Sequence, residues 1–199
     1  MNNIDKSFHT QKIFRVLLNC MAKPGTIGRI EAIDGTEESG FPFTGYMFSV
    51  AKTLLDQETL FHVANDSGQA EAMISFDTMA ASGSLSDCDY LLTSGDDFFE
   101  IERLKRGSWQ FPDESATIIC QVVDLFDSDD IEGESVSLTL KGPGIKDSKE
   151  IAIEGLNPDL IEGLRECNRE FPLGIDCILV GRTGKICCIP RSTRFQGVV

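Results

Sequence analysis

The segment Ile189-Pro190-Arg191-Ser192-Thr193-Arg194 has the residue types of an anion site. Arg191 and Arg194 carry guanidinium groups, which bind phosphate or phosphonate oxygens in a bidentate manner, and Ser192 adds a hydroxyl donor. The same arginines are equally suited to an acidic protein surface, and a solvated tail without a ligand is the third interpretation. Arg191, Ser192 and Arg194 are therefore the candidate anion or partner contacts.

The tetrapeptide Ser49-Val50-Ala51-Lys52 has the Ser-x-x-Lys spacing in which a helical lysine lies one turn from a nucleophilic serine, as in penicillin-binding proteins. The companion motifs of that site are missing. Ser86-Asp87-Cys88 stands where Ser-Asp-Asn is needed, and Thr183-Gly184-Lys185 is not Lys-Thr-Gly. The pattern predicts a surface lysine beside a helical serine and no catalysis.

Other chemistry-bearing residues lack the spacing of a site. His9 and His62 are the only histidines, and neither has a second histidine at metal-ligand spacing. The seven cysteines form no Cys-x-x-Cys pair and are typical of buried apolar residues in a reducing compartment.

Two further segments resemble ligand-binding loops only in part. The acids of 124–130 lack the glycine and final glutamate of a calcium loop and predict a solvated loop. Gly142-Pro143-Gly144 contains a Gly-x-Gly fragment, but proline lacks the backbone N–H that a phosphate-binding loop would donate. The segment therefore predicts a tight turn instead. We predict no catalytic residue, no cofactor-binding residue and no metal ligand.

Charge is distributed unevenly along the 199 residues. The total is -14, from 18 Lys+Arg and 32 Asp+Glu, which disfavours nucleic acid and anionic membranes as partners. Residues 1–30 nevertheless hold five bases and one acid, and residues 181–199 hold four bases and no acid. Residues 86–134 hold three bases and fourteen acids. The sequence therefore has two basic ends and an acidic middle.

Apolar periodicity predicts an α/β fold. Phe14, Leu17, Leu18 and Met21 recur at helical spacing and predict one buried helix face, ended by Pro24-Gly25. The same criteria predict further helices near 47–55, 66–79, 97–105 and 158–167, and strands near 27–30, 60–63, 90–92, 116–123, 136–140, 175–180 and 185–189. No linker separates these elements. We predict a single domain over residues 1–199, with a mixed β-sheet flanked by helices.

The sequence contains neither a readable secretory signal nor an apolar run long enough to span a membrane. The first residues do not form a charged segment followed by a long apolar run, so no secretory signal is readable. No stretch reaches the roughly 20 continuous apolar residues of a membrane span. We therefore expect a cytoplasmic protein.

Six segments of the sequence together carry a recognisable pattern. They are Phe14-Arg15 with Met21 and Pro24-Gly25, Leu54-Leu55-Asp56-Gln57-Glu58-Thr59, Gly107 with Phe111-Pro112-Asp113-Glu114 and Ala116-Thr117-Ile118-Ile119, Leu140-Lys141-Gly142-Pro143-Gly144-Ile145, Phe171-Pro172-Leu173-Gly174-Ile175-Asp176, and Ile189-Pro190-Arg191-Ser192-Thr193. The last two are the most specific. In their order and spacing, the six segments resemble one family, the H subunit of the bacterial carbon-phosphorus lyase system for phosphonate use.

The resemblance implies a fold similar to that of the pyridoxal-phosphate-dependent transferases, without the cofactor. It implies a homodimer that assembles with the G, I and J subunits of the core complex. That complex transfers methylphosphonate to the ribose C1 of ATP, releases adenine and forms alpha-D-ribose 1-methylphosphonate 5-triphosphate. The resemblance implies no catalytic residue in the H subunit. None of the nine lysines stands in a recognisable aldimine context.

Three hypotheses follow from these expectations. In the first, the chain is a non-catalytic subunit whose basic ends, with Arg191 and Arg194, meet an acidic patch on a partner or sister subunit, while the acidic middle faces solvent. In the second, it is a phosphonate- or nucleotide-binding enzyme subunit that uses Arg191, Ser192 and Arg194. In the third, it retains pyridoxal phosphate.

Overall fold

The computed structural model describes residues 3–32, 43–66, 68–127 and 135–198. It has an α/β architecture, as predicted, with two sheets. In spatial order, the seven-stranded mixed sheet contains β1 (Gly28–Arg29), β10 (Lys185–Ile189), β9 (Asp176–Gly181), β5 (Thr117–Val122), β4 (Tyr90–Ser94), β2 (Leu60–Val63) and β3 (Ala81–Ser82). The four-stranded sheet contains β11 (Arg194–Val198), β7 (Ser135–Lys141), β8 (Lys149–Glu154) and β6 (Asp124–Asp127).

Four α-helices accompany the sheets in the described part of the chain. They are α1 (Asn3–Ala22), α2 (Gly45–Leu54), α3 (Gln69–Thr78) and α4 (Pro158–Cys167). Short 3-10 turns cover Ile101–Arg103 and Pro112–Glu114. None of the described helices combines the length and apolar character that crossing a bilayer requires.

The large sheet is mixed because one of its strands is reversed. Strands β9, β5, β4, β2 and β3 are parallel, whereas β10 runs antiparallel to both β9 and β1. The β9–β10 hairpin turns through Arg182 to Gly184, where the Gly184 N–H donates to Gly181 O at 3.0 Å. The predicted hairpin is confirmed. The four-stranded sheet is antiparallel throughout.

Both faces of the large sheet are buried. Alternation along β5 places Ile118 and Cys120 on one face and Ile119 on the other. Helices α1, α2 and α3 cover the Ile119 face, and the four-stranded sheet with α4 covers the opposite face. This arrangement explains why β5, β9 and β10 are nearly continuous apolar runs.

The buried face of α1 differs from the predicted one. Leu17 is buried as expected, but Ile13 and Cys20 complete the buried face, while Phe14 and Leu18 are exposed. The cause is the close approach of β1, where a Cβ at Gly28 would lie 2.9 Å from Cys20 Sγ. The sheet therefore selects one of two apolar arcs of the same helix.

Three other local predictions are wrong. Residues 97–105 form only the 3-10 turn Ile101–Arg103. Asp97, the predicted start of the helix, instead accepts hydrogen bonds from the Thr93 hydroxyl and the Ser94 N–H at the end of β4. Asp124–Asp127 is strand β6 rather than a solvated loop, and residues 128–130 lie outside the described part of the chain. The C-terminal segment is not a solvated tail, since β11 pairs with β7.

The turn at Gly142-Pro143-Gly144 is confirmed. The Ile145 N–H donates to Gly142 O at 3.1 Å, which closes the turn between β7 and β8. Gly144 adopts a φ of 83°, and a Cβ there would lie 2.2 Å from Ala22 O. Glycine is therefore required at this position, where the small sheet meets the end of α1.

Candidate functional site

Arg191 bonds to the chain's own carboxylate, Asp176. Asp176 begins β9 and Arg191 follows β10, so the pairing of Ile189 with Cys177 brings the two side chains to the same end of the hairpin. The Nη2 group of Arg191 donates to Asp176 Oδ2 at 2.6 Å, and Nε donates to both carboxylate oxygens at 3.2 and 3.3 Å. Its backbone N–H donates to Asp176 Oδ1 at 2.7 Å.

Arg191 also fixes a loop. Its Nη1 group donates to the carbonyl of Pro112, in the 3-10 turn before β5. The side chains of Arg191 and Asp176 are 17% and 20% exposed, which places the pair largely out of solvent. All three nitrogens of this guanidinium therefore have acceptors within the chain, and its contacts connect β9, the turn after β10 and the loop before β5.

Arg194 bonds elsewhere. It begins β11, and its Nη1 group donates to the carbonyl of Asn168 at 2.7 Å, at the C-terminal end of α4. Ser192 is partly buried in the turn between β10 and β11. Arg191 and Arg194 thus reach different parts of the chain, and the described structure does not join them in one anion site.

A cavity of about 390 Å³ does lie beside Arg194. Its lining includes the guanidinium-bearing residues Arg165 and Arg169, the carboxylate of Glu166, and Thr193. The Thr193 hydroxyl is buried and has no hydrogen-bond partner among the described residues. Three cations favour an anion, but Glu166 and the negative end of the α4 dipole oppose one.

Lys185 is the third internally bonded base of the C-terminal segment. Its Nζ donates to Asp124 Oδ2 at 2.9 Å and to Leu125 O at 2.8 Å. Burial raises the pKa of Asp124, but hydrogen bonds from Lys185, the Leu125 backbone and Thr183 outweigh it and lower the pKa below its ordinary value. This pair ties β10 of the large sheet to β6 of the small one.

The Ser49 and Lys52 side chains do not form a catalytic pair. Ser49 is buried in α2 and its Oγ donates to Gly45 O at 2.6 Å. Lys52 lies 2.8 Å from Asp77 Oδ2 on α3. The serine hydroxyl and the lysine therefore both serve helix packing, although Lys52 is less exposed than predicted.

All seven cysteines are buried and none is in a disulfide. Burial raises the pKa of Cys187 to about 12 and that of Cys88 to about 11. The Cys20 and Cys188 thiols form a hydrogen bond, which lowers the pKa of Cys20 and raises that of Cys188. The prediction that the cysteines are buried is confirmed. An inaccessible thiol with a raised pKa is a poor nucleophile and a poor metal ligand.

The histidines also have local contacts. His62 Nδ1 lies 3.0 Å from Gly83 O, and His9 Nε2 lies 3.9 Å from Glu31 Oε2. Within the described residues, no three His, Cys, Asp or Glu side chains are grouped so that they could hold a metal ion.

Sequence reasoning missed one surface. Phe14 and Leu18 were assigned to the core, but they are exposed on the outside of α1, where Lys12 and Arg15 are also exposed. A usable signal was present, since Ile13, Val16, Leu17 and Cys20 already supply one complete apolar face. Phe14 and Leu18 are therefore in addition to the apolar residues that one buried face requires.

Comparison with known proteins gives agreement over nearly the whole chain. The profile of the family described as "PhnH: Bacterial phosphonate metabolism protein (PhnH)" matches residues 3–196. A relative from Rhizobium meliloti (strain 1021), the alpha-D-ribose 1-methylphosphonate 5-triphosphate synthase subunit PhnH, is 31% identical over 202 residues, covering 96% of this chain and 92% of the relative. HtxG of Stutzerimonas stutzeri, provisionally named as a C-P lyase subunit, is 27% identical over 189 residues, covering 94% of this chain and 85% of HtxG. The match spans α1 to β11, with the Arg191 pair and the outer side of α1 both inside it, and on this evidence the chain belongs to the PhnH family of bacterial phosphonate metabolism proteins.

Proposed function

We propose that the chain is a non-catalytic subunit of the carbon-phosphorus lyase core complex. In this role it supports formation of alpha-D-ribose 1-methylphosphonate 5-triphosphate from ATP and methylphosphonate. The observation that carries the proposal is the match over 96% of the chain to a relative named as a subunit of that synthase.

The side-chain geometry supports the non-catalytic part of the proposal. The groups best suited to catalysis are occupied or inaccessible: Ser49 and Arg191 bond within the chain, and the seven thiols are buried. A subunit of this kind contributes through its surface, and the G, I and J subunits of the core complex are the partners we propose for it.

Reconstitution tests this function. The complex is assembled with and without the chain, and product formation from ATP and methylphosphonate is followed by phosphorus NMR. We expect turnover only with the complete set, and none from the isolated chain. Equal turnover without the chain contradicts the proposal, and turnover by the chain alone contradicts its non-catalytic part.

The fold is proposed to be similar to that of the pyridoxal-phosphate-dependent transferases, supported by the mixed seven-stranded sheet with helices α1, α2 and α3 on one face and α4 on the other. The lysines with described side chains do not fit the cofactor. Of the eight with described side chains, four pair with carboxylates and the rest are exposed: Lys52, Lys105, Lys149 and Lys185 are paired, and Lys12, Lys23, Lys141 and Lys146 are exposed. A flat visible absorbance trace after incubation with pyridoxal phosphate is the expected result, and an aldimine band contradicts it.

A second candidate function, binding of a nucleotide or phosphonate, is favoured only by the arginine-lined cavity beside Arg194. Titration calorimetry with ATP and with methylphosphonate tests it. We expect no saturable binding to the isolated chain. Binding that disappears in Arg194→Ala but persists in Arg103→Ala would instead establish the cavity as the site.

The chain is further proposed to form a homodimer and to work in the cytoplasm. Size-exclusion chromatography with mass measurement tests the first part, with a dimer mass expected for the isolated chain. A monomer mass across the accessible concentration range contradicts it.

A further inference from the structure

The outer side of α1 exposes three large apolar side chains. Phe8, Phe14 and Leu18 are 59%, 45% and 52% exposed. Phe14 and Leu18 are four residues apart and therefore adjacent on the helix surface. Phe14 and Leu18 are each about half exposed and together present an apolar area on the order of 200 Å². Phe8 exposes a third apolar side chain nearer the N-terminus of the same helix.

These side chains are not needed for the core. The inner face of α1 is already filled by Ile13, Leu17 and Cys20, which are at most 3% exposed. Phe14 and Leu18 therefore keep apolar surface in water without adding to the packing of the sheet. Adjacent exposed apolar side chains rimmed by charged residues are typical of a surface that contacts another molecule.

The same side of the helix is basic. Lys12 and Arg15 are exposed, and neither has a carboxylate partner among the described residues. Lys12 Nζ instead lies 4.8 Å from the centroid of the Phe8 ring. We name Phe8, Lys12, Phe14, Arg15 and Leu18 the outer α1 face. Its charge is opposite to the net -14 of the chain.

Charge restricts what this face can bind. Two copies meeting symmetrically through it would oppose bases to bases, which is unfavourable. A second copy docking it head to tail on its own acidic surface would build a ring or an open filament, and neither is the homodimer proposed above. An anionic membrane would be repelled by the rest of the molecule, since the net charge is -14. The occupant that fits is a different protein with an acidic, partly apolar surface.

We propose that the outer α1 face docks an acidic, partly apolar surface of another subunit of the complex. The inference rests on the proposed function, because it requires that the chain assemble with other subunits. Phe14 and Leu18 supply the apolar centre of the contact, and Lys12 and Arg15 supply the charge that orients the partner.

Two double variants of the full chain test this docking. Phe14→Glu with Leu18→Glu removes the apolar centre, and Lys12→Glu with Arg15→Glu reverses the charge. The matched controls are Phe76→Glu with Met79→Glu, which change exposed apolar residues at the end of α3, and Arg103→Glu, which reverses an exposed base elsewhere. Thermal unfolding of every variant confirms that it folds.

Affinity for the co-purified G, I and J subunits is the readout. We expect the apolar variant to bind about 30-fold or more weakly, the charge variant about tenfold more weakly at low salt, and both controls to bind like the wild type. If both outer-face variants bind the other subunits as tightly as the wild type does, the inference is overturned and the proposed function remains intact. A wild-type chain that joins none of these subunits overturns both.

The alternative occupants have their own outcomes. Vesicles with about one third anionic lipid are sedimented with the wild type, and binding that Lys12→Glu with Arg15→Glu abolishes would assign the face to a membrane. A homo-oligomer of the isolated chain that the same variant dissociates would assign it to a second copy. Either result overturns the proposed docking to a different subunit.

Discussion

Two basic segments of this chain have different structural roles. In residues 181–199, Lys185, Arg191 and Arg194 all donate hydrogen bonds to acceptors of the same chain. On α1, Lys12 and Arg15 are exposed and have no carboxylate partner among the described residues. Lys185 and Arg191 reach acids on strands next to β10, and Arg194 reaches the backbone carbonyl of Asn168, whereas the bases of α1 lie on the side facing away from the sheet. Similar composition therefore serves stability in one segment and leaves charge available for recognition in the other.

The largest expected effect comes from Arg191. Arg191→Met leaves Asp176 largely buried without its partner, so we expect the free energy of unfolding to fall by about 3–5 kcal/mol. Chemical denaturation measures it. Arg103→Met is the control, because its ion pair with Glu100 is exposed and contributes about 1 kcal/mol or less.

A second variant separates the Arg191 ion pair from simple loss of packing. Asp176→Asn combined with Arg191→Met removes the unpaired charge, and we expect it to recover part of the lost stability. If Arg191→Met is as stable as the wild type, the C-terminal bases are not structural and the contrast between the two segments disappears.

Adjacent leucines test the two sides of α1. Leu17→Ala opens a cavity against the sheet and is expected to destabilise the chain by about 2–5 kcal/mol. Leu18→Ala removes an exposed side chain and is expected to change stability by about 0.5 kcal/mol or less. Thermal or chemical unfolding of the pair measures the difference. Equal losses in both variants would show that the outer α1 face is structural after all.

The Lys185–Asp124 pair links stability to pH. Asp124→Asn weakens the hydrogen bonds from Lys185 and Thr183 and should cost about 2 kcal/mol at neutral pH. Because the folded-state pKa of Asp124 is lowered, its stabilisation is fully present above the unfolded pKa of about 3.9 and is lost as the pH falls through the lower folded value.

Denaturation of the wild type and Asp124→Asn from neutral to acid pH provides the measurement. The difference in stability between the two proteins should shrink as the pH falls below about 4. A difference that stays constant with pH would mean that the carboxylate charge of Asp124 does not contribute to folding.

The smallest expected effect belongs to the bases of α1. Lys12→Ala and Arg15→Ala should each change the free energy of unfolding by no more than about 0.5 kcal/mol, since neither side chain bonds a carboxylate. Their effect should appear instead in association with partner subunits. A loss of stability comparable to that of Arg191→Met would remove the distinction between the two segments.

Elements with strong apolar periodicity were predictable from sequence. Pro158–Cys167 and Lys185–Ile189 have the bounds that the pattern predicts. Each combines its own stop or start signal with a continuous apolar pattern, such as Pro158 in the first turn of α4. Local information suffices for elements of this kind.

The strands of the small sheet were harder to predict. β6 reads Asp-Leu-Phe-Asp and β11 reads Arg-Phe-Gln-Gly-Val, which carry too few apolar residues to indicate a strand. They exist because β8 and β7 offer them backbone hydrogen bonds and because Leu125 and Phe195 reach the core. Pairing between residues distant in sequence leaves no local pattern.

The contacts of the candidate site residues were also not predictable from the sequence. The sequence placed Arg191, Ser192 and Arg194 within four positions, which favoured a common site. The turn between β10 and β11 sends the two arginines to Asp176 and to Asn168 instead. Proximity along a turn does not determine where long side chains find their acceptors.

The sequence by itself determined the α/β class, the family resemblance, the burial of the cysteines and the two basic ends. These properties depend on residue types and on periodicities within single elements. Only the tertiary structure decided which side of α1 is buried and which bases meet acids of the same chain. The physical reason is that burial and ion pairing depend on distances of a few ångströms between residues such as Arg191 and Asp176, fifteen positions apart, and a charge count does not contain those distances.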